Sequence, residues 1–318
     1  MGRPIGRRTF VRGAALGTMG FGAWWLSGCS GGSSASPTPT PSAGASPSPA
    51  DITPVLLTGE FVAGEQNRFA VGLLQGNKIV RGGQVHLRFF TIGADGVTGT
   101  FRGEADASAA ELTVPGAHDH DTTPDGAGFD DTVSFYEVQA PFDAAGKWGV
   151  EITAPASATT SEKRIQTTFQ VLEKSPTPAV GAPAPASHND TAATNPDRAS
   201  LCSRSPACPL HDSVIADVLG KRPLVVQFST PAFCQTRFCG PVLEALLTQV
   251  PAYQDRITFV HIEVWQDFQS KTYRPAMREW NLSSEPWTFF VARDGTVASK
   301  LEAVFTIDEL RARLDAIA

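Results

Sequence analysis

Basic side chains are in short supply. Lys and Arg number 26 against 32 Asp and Glu, a net charge of −6 over 318 residues, so the chain offers no basic footprint for nucleic acid and no such partner is expected. Long apolar runs are also missing. The apolar and glycine-rich stretch 14–26 is too short to span a bilayer unaided and has the size of a signal-peptide h-region. Cysteine is absent from 30 to 201, so four of the five cysteines, Cys202, Cys208, Cys234 and Cys239, cluster between 202 and 239 and belong to one domain. Helical periodicity is absent from 51 to 172.

What is present starts with a basic N-terminus, Arg3, Arg7, Arg8 and Arg12, ahead of that apolar stretch. The motif "RRTFV" resembles a twin-arginine export signal, and "LSGC" resembles the lipobox of bacterial lipoproteins. The resemblance implies cleavage before Cys29 and lipid on its thiol, hence an anchor on the extracytoplasmic face of the cell membrane. With Cys29 lipidated, the remaining cysteines are even in number and two disulfides are possible; proximity in sequence favours Cys202 with Cys208 and Cys234 with Cys239.

Composition divides the rest. Residues 1–28 read as the signal peptide and 29–50, a Pro/Ser mixture with no apolar residue larger than alanine or proline, as an extended tether. Residues 51–173 read as an antiparallel β-sandwich. "GGQVHLRFFTI" alternates Val85, Leu87 and Phe89 against His86 and Arg88, and "TVSFYEVQA", "KWGVEITA" and "RIQTTFQVLE" follow between turn clusters. "FDAAGKWGVEITA" with a closing "FQVLE" resembles the end of bacterial immunoglobulin-like accessory domains, a likeness that names a fold and leaves the ligand of the sandwich unidentified. In "HDHDTTPDGAGFDD", His118 and His120 stand among carboxylates and are candidate ligands for a divalent cation, but the turn-forming composition favours a solvated loop. No cofactor is expected. Residues 174–200, again rich in Pro, Ala and Ser, read as a loose linker.

Residues 201–318 alternate helix and strand: helix, strand, helix, strand, helix, hairpin, helix. "RPLVVQFST" is a strand buried on both faces, "PVLEALLTQV" places Leu243, Leu246, Leu247 and Val250 on one helical face, and Asp294 and Gly295 form a hairpin turn. Thr306 and Glu309 predict a capping box on the last helix, with a staple from Phe305 to Leu310. This order, with a cysteine pair after the first apolar strand, resembles the α/β thioredoxin fold, and "SEPWTFFVARDGTV" is similar to the TlpA/ResA-like membrane-tethered thioredoxins. The resemblance covers 201–318. It implies a cis peptide at Pro286 packed beside the cysteines, and Glu285 facing them. Gln227 stands where thioredoxin has a buried acid.

The spacing departs from that family. In "FCQTRFCGPV" the pair is CxxxxC rather than CxxC. Five residues of regular helix rotate through about 500°, leaving the two side chains about 140° apart. Either Cys234 lies in the turn ahead of the helix, or the first turn unwinds. "TPAFCQTRFCG" also resembles the bacterioferritin-comigratory peroxiredoxins, but Thr230 lies one residue too far from Cys234, and Pro286 and Trp287 stand where those enzymes carry an arginine.

The expectation is a lipid-anchored thiol–disulfide oxidoreductase acting on exported thiol or disulfide proteins, with Cys234 as nucleophile, Cys239 as resolving thiol, and Pro286 and Glu285 beside them. The competing classes are a non-enzymatic accessory lipoprotein whose disulfides are structural, and a peroxiredoxin-like peroxidase. Cys202 and Cys208 read as a structural disulfide pinning the linker exit. His211 and His261 could join a cysteine copper site like that of cytochrome oxidase assembly factors. Those proteins, however, supply a histidine late in the domain, and none follows His261 here.

Overall fold

The computed structural model describes residues 52–76, 78–114, 132–154, 162–234 and 238–318. Cys29, with the signal peptide and tether, and His118 and His120 lie outside the described residues. Among the described residues no helix is long and apolar enough to cross a membrane.

The chain is rich in β-structure. Its first part contains β1 (Ile52–Leu56), β2 (Phe61–Val62), β3 (Gln66–Gln75), β4 (Lys78–Ile79), β5 (Gln84–Ile92), β6 (Gly99–Thr113), β7 (Thr132–Pro141), β8 (Gly146–Ala154) and β9 (Lys163–Leu172). They form one curled sheet in the order β1-β3-β7-β6-β5-β8-β9-β2, with β4 beside β3. Every pairing is antiparallel except that of β2 with β9. The long β6 makes the curl: its residues up to Ser108 pair with β5, and Ala109–Thr113 pair with β7. The alternation in β5 buries Val85, Leu87 and Phe89 and leaves His86 and Arg88 partly exposed. Those side chains join Phe61, Phe69, Phe142, Trp148 and Phe169 in the enclosed core.

The second part contains α1 (Arg198–Leu201), α2 (Ile215–Val218), β10 (Leu224–Ser229), α3 (Cys239–Tyr253), β11 (Thr258–Glu263), β12 (Trp265–Asp267), β13 (Thr272–Tyr273), α4 (Pro275–Glu279), β14 (Trp287–Val291), β15 (Val297–Glu302) and α5 (Ile307–Ile317). A four-stranded sheet runs β11-β10-β14-β15. β10 is parallel to β11 and antiparallel to β14, and β14 is antiparallel to β15. All six residues of β10 are buried, because both faces of the sheet are covered. Val225 packs toward Leu243, Leu246, Leu310 and Leu314 of α3 and α5. Leu224, Val226 and Phe228 pack toward Met277 and Trp280. The Asp294–Gly295 turn joins β14 to β15, with Gly295 at φ 89°.

Several local details differ from the sequence reading. α2 is a single turn, and no residue at its start caps it with a side chain; instead Asn189 Oδ1 accepts from the Ile215 amide at 2.9 Å. The hairpin of β12 and β13 was not expected, since strands of three and two residues leave no readable period. Thr306 caps α5 as expected, accepting from the Glu309 amide at 3.1 Å. The other half of the capping box is diverted, because the Glu309 carboxylate pairs with Arg68 of β3 at 3.2 Å.

Residues 174–200 are not loose. Ala182 and its neighbours run beside the start of β15, with Gly181 N to Val297 O at 2.8 Å, Val297 N to Ala182 O at 2.9 Å and Ala184 N to Gly295 O at 2.9 Å. Thr177, Ser187 and Thr191 are buried. Proline is compatible with such an edge path, where a missing N–H breaks no central ladder.

The two parts also share a core. Leu57, Ala70, Leu112, Val133 and Phe135 belong to the same apolar cluster as Leu301, Val304, Phe305 and Leu310. Polar bonds frame the junction. Glu302 accepts from the amides of Gly59 and Glu60 at 2.7 and 3.0 Å, Lys300 pairs with Glu60, and Arg68 donates to Val304 O at 2.6 Å.

Candidate functional site

Two clusters of sulfur-bearing side chains gather near the C-terminal ends of β10 and β11. The first is the CxxxxC pair. Cys239 opens α3, and Cys234 lies in the turn ahead of it, so the pair is not carried on one helix; residues 235–237 between them lie outside the described residues. The Cys239 amide donates to Cys234 Sγ at 3.3 Å. Cys234 is partly exposed while Cys239 is wholly buried. Burial pushes the Cys239 thiol well up, and the neighbouring Cys234 and the charge of Glu285 push it further. The Glu285 carboxyl is itself pushed up by burial and by the charge of Glu263, with Lys271 opposing.

The peptide from Glu285 to Pro286 is cis. Gln227, buried in β10, accepts from Thr288 Oγ1 at 2.6 Å and donates to Phe228 O at 3.3 Å, so this position carries a satisfied amide and no titrating group. Next to Cys234, Phe233 is 40% exposed and stacks on Phe268 with 4.4 Å between ring centroids. The Lys271 ammonium lies 3.4 Å from the Phe268 ring centre. An aromatic and cationic ledge therefore borders the accessible cysteine.

The second cluster was only half legible in the sequence. Cys202, Cys208, His211 and His261 are all buried, and one ligating atom from each lies within 4.8 Å of the others. Both cysteines are thiols in this structure, with sulfurs within 4.8 Å of each other. His211 Nε2 and His261 Nδ1 are 3.3 Å apart. The far nitrogen of His261, Nε2, lies 3.1 Å from the Ser229 carbonyl and 3.0 Å from its hydroxyl. A carbonyl only accepts, so Nε2 carries the hydrogen and the Nδ1 lone pair faces the sulfurs.

Electrostatics within this cluster are uneven. Hydrogen bonding between the two pulls the Cys202 thiol down and pushes the Cys208 thiol up. His211 is pushed down by burial. For His261 burial works the same way, but contact with Cys202, the charge of Glu263 and the Ser229 backbone together outweigh it and the ring is pushed up.

No protein-family model matches the chain, and no curated protein matches it. The chemistry of the two clusters therefore rests on their geometry.

The clusters touch through a short polar path. Ser203, next to Cys202, accepts through its hydroxyl from the Ala232 amide at 3.2 Å, and its own amide donates to Glu263 Oε2 at 2.8 Å. Arg204 pairs with Glu244 of α3 and donates to Pro206 O, which fixes the loop carrying both cysteines. A cleft of about 80 Å³, lined in part by Ser187, Asn189, His211, His261, Glu263 and Arg274, reaches the histidine side of the cluster. Sequence spacing put Cys202, Cys208 and His211 within ten residues. His261, which the sequence offered beside His211 only through a likeness to copper sites, arrives from β11, where it is the partner of Gln227 in the parallel pairing with β10.

Proposed function

We propose that the chain is a membrane-anchored extracytoplasmic thiol–disulfide oxidoreductase, with an immunoglobulin-like sandwich ahead of a thioredoxin-like domain and Cys234 and Cys239 as the working pair. The observation that carries the reading is the asymmetry of that pair: Cys234 is reachable and receives an amide hydrogen from the first residue of a 15-residue helix, while Cys239 is buried behind it. An amide donor and a helix N-terminus both stabilise a thiolate. The strand order, with one parallel and two antiparallel pairings and helices on both faces, supports the thioredoxin-like reading.

In the reducing direction the Cys234 thiolate attacks one sulfur of a substrate disulfide. An S–S bond forms to the protein, and the other substrate sulfur leaves as a thiolate. Cys239 then gives up its proton and attacks Cys234 Sγ. The mixed disulfide breaks, the second substrate sulfur leaves, and two electrons have passed from the protein pair to the substrate. Run backwards, the same steps oxidise a substrate dithiol. Glu285 stands close enough for its charge to raise the Cys239 thiol. The aromatic ledge of Phe233 and Phe268 supplies an apolar resting place for a peptide flanking the substrate cysteine.

The test is a thiol-trapping redox titration of the full chain extracted in detergent, with mass mapping of trapped cysteines. Opening of the Cys234–Cys239 disulfide between about −120 and −270 mV supports the oxidoreductase. Resistance below about −300 mV makes the pair a structural crosslink and turns the chain into a binding module.

A further inference from the structure

We infer that Cys202, Cys208, His211 and His261 form a tetrahedral zinc site, separate from the CxxxxC pair. Zinc bonds of about 2.3 Å to sulfur and about 2.0–2.1 Å to nitrogen, arranged tetrahedrally, require about 3.8 Å between two sulfurs, about 3.3 Å between two nitrogens and about 3.6 Å from sulfur to nitrogen. The facing nitrogens lie 3.3 Å apart. The sulfur-to-nitrogen edges are 3.6 Å from Cys202 to His261, 3.3 Å from Cys208 to His261 and 3.2 Å from Cys208 to His211. The two other edges, between the sulfurs and from Cys202 to His211, fall within 4.8 Å. Four ligand atoms thus outline a tetrahedron whose measured edges match, or fall a few tenths of an ångström inside, those of a zinc centre.

The surroundings fit the same ion. Two thiolates and two neutral imidazoles make a donor set suited to zinc. The Ser229 carbonyl holds His261 by its far nitrogen, the outer support that metal-bound histidines use to fix ring orientation. Two thiolate charges would neutralise the dication, so the buried centre needs no further counter-charge. The cleft on the histidine side gives the ion an entry path. The ligands come from the loop 202–211 and from β11, so the metal would fasten the start of the second part to its sheet. The site is built from closed protein ligation, which indicates a structural role rather than a catalytic one.

The test begins with the full chain purified without chelators, by elemental analysis and by replacement of the bound ion with cobalt. About one zinc per chain, and a cobalt derivative with thiolate-to-metal charge transfer and the strong visible bands of tetrahedral coordination, are expected. The cobalt spectrum needs no substitution, so it stands even if a ligand variant fails to fold. Stoichiometric zinc should be lost in Cys208→Ser and in His211→Gln and retained in the double variant Cys234→Ser/Cys239→Ser. A Cys202–Cys208 disulfide with no zinc uptake after reduction overturns the proposal, as does zinc that disappears with Cys234 and Cys239, or copper in its place. Because the double variant lacks the redox pair, failure of the zinc site and failure of the oxidoreductase reading are distinguishable.

Discussion

The Cys239 amide donates to the sulfur of Cys234 at 3.3 Å, so the buried cysteine of the pair supports the accessible one through its backbone while its own thiol stays out of solvent. The division of labour predicts how each variant fails. In Cys239→Ser the backbone donor remains and the resolving thiol is gone, so mixed disulfides with substrate should accumulate. In Cys234→Ser none should form. Gel-shift trapping followed by mass mapping checks both, and equal trapping by the two variants would remove the assigned order of attack.

Glu285 predicts a pH effect of definite sign. Its negative charge is among the causes that push the Cys239 thiol up, after burial and Cys234. Glu285→Gln removes that charge, so Cys239 should ionise at lower pH and the resolving step should reach its plateau earlier on a rising pH scale. Single-turnover decay of a preformed mixed disulfide, measured across pH, reads the midpoint directly. A midpoint that does not move, or moves up, would detach Glu285 from the pair.

Glu302 makes the junction between the two parts sensitive to pH. Burial raises its carboxyl above the usual value of 4.5, against the amides of Gly59 and Glu60 and the Ser284 hydroxyl, which lower it. A carboxyl whose folded pKa lies above its unfolded one binds its proton more tightly when folded, so its stabilising contribution is complete below the unfolded value and is lost as pH rises through the folded one. Stability from this group should therefore fall with rising pH, beginning near 4.5. Urea unfolding of Glu302→Gln, compared with the unaltered chain at several pH values, should give a flatter dependence over that window.

Much of this organisation was legible because it is written in periodicity. The alternation of Val85, Leu87 and Phe89 predicts a strand with one buried face, and that is the face β5 buries. The unbroken apolar run of β10 likewise predicts cover on both sides. Contacts between distant segments were not legible. Residues 174–200 have the composition of a linker, yet they run beside β15, since composition reports what a segment forms alone and not which edge is free to receive it. The same reason left His261 weighed as a ligand but not placed. A histidine inside a strand looks like a packed side chain until the parallel register of β10 and β11 brings it beside Ser229, Cys202 and Cys208.

Arg68 offers the sharpest test of whether the two parts behave as one body. From β3 its guanidinium pairs with Glu137 at 2.6 Å and Glu309 at 3.2 Å and donates to the Val304 carbonyl at 2.6 Å, with the side chain only 11% exposed. Glu309 is already pushed up by burial, with Arg68 pulling it back down. Removing the arginine leaves two crowded carboxylates and a carbonyl without their donor. Breaking a buried pair from one side typically costs about 3–5 kcal/mol; because Glu137 keeps some contact with solvent, Arg68→Met should lose about 3 kcal/mol at neutral pH. Adding Glu309→Gln removes one stranded charge and should restore part of the loss, a coupling that urea unfolding of the single and double variants measures. If Arg68→Met unfolds in one transition at a lower midpoint, the shared core of Leu57, Phe135, Val304 and Phe305 still holds the parts together. If it unfolds in two, the arginine and its partners are what makes them cooperative.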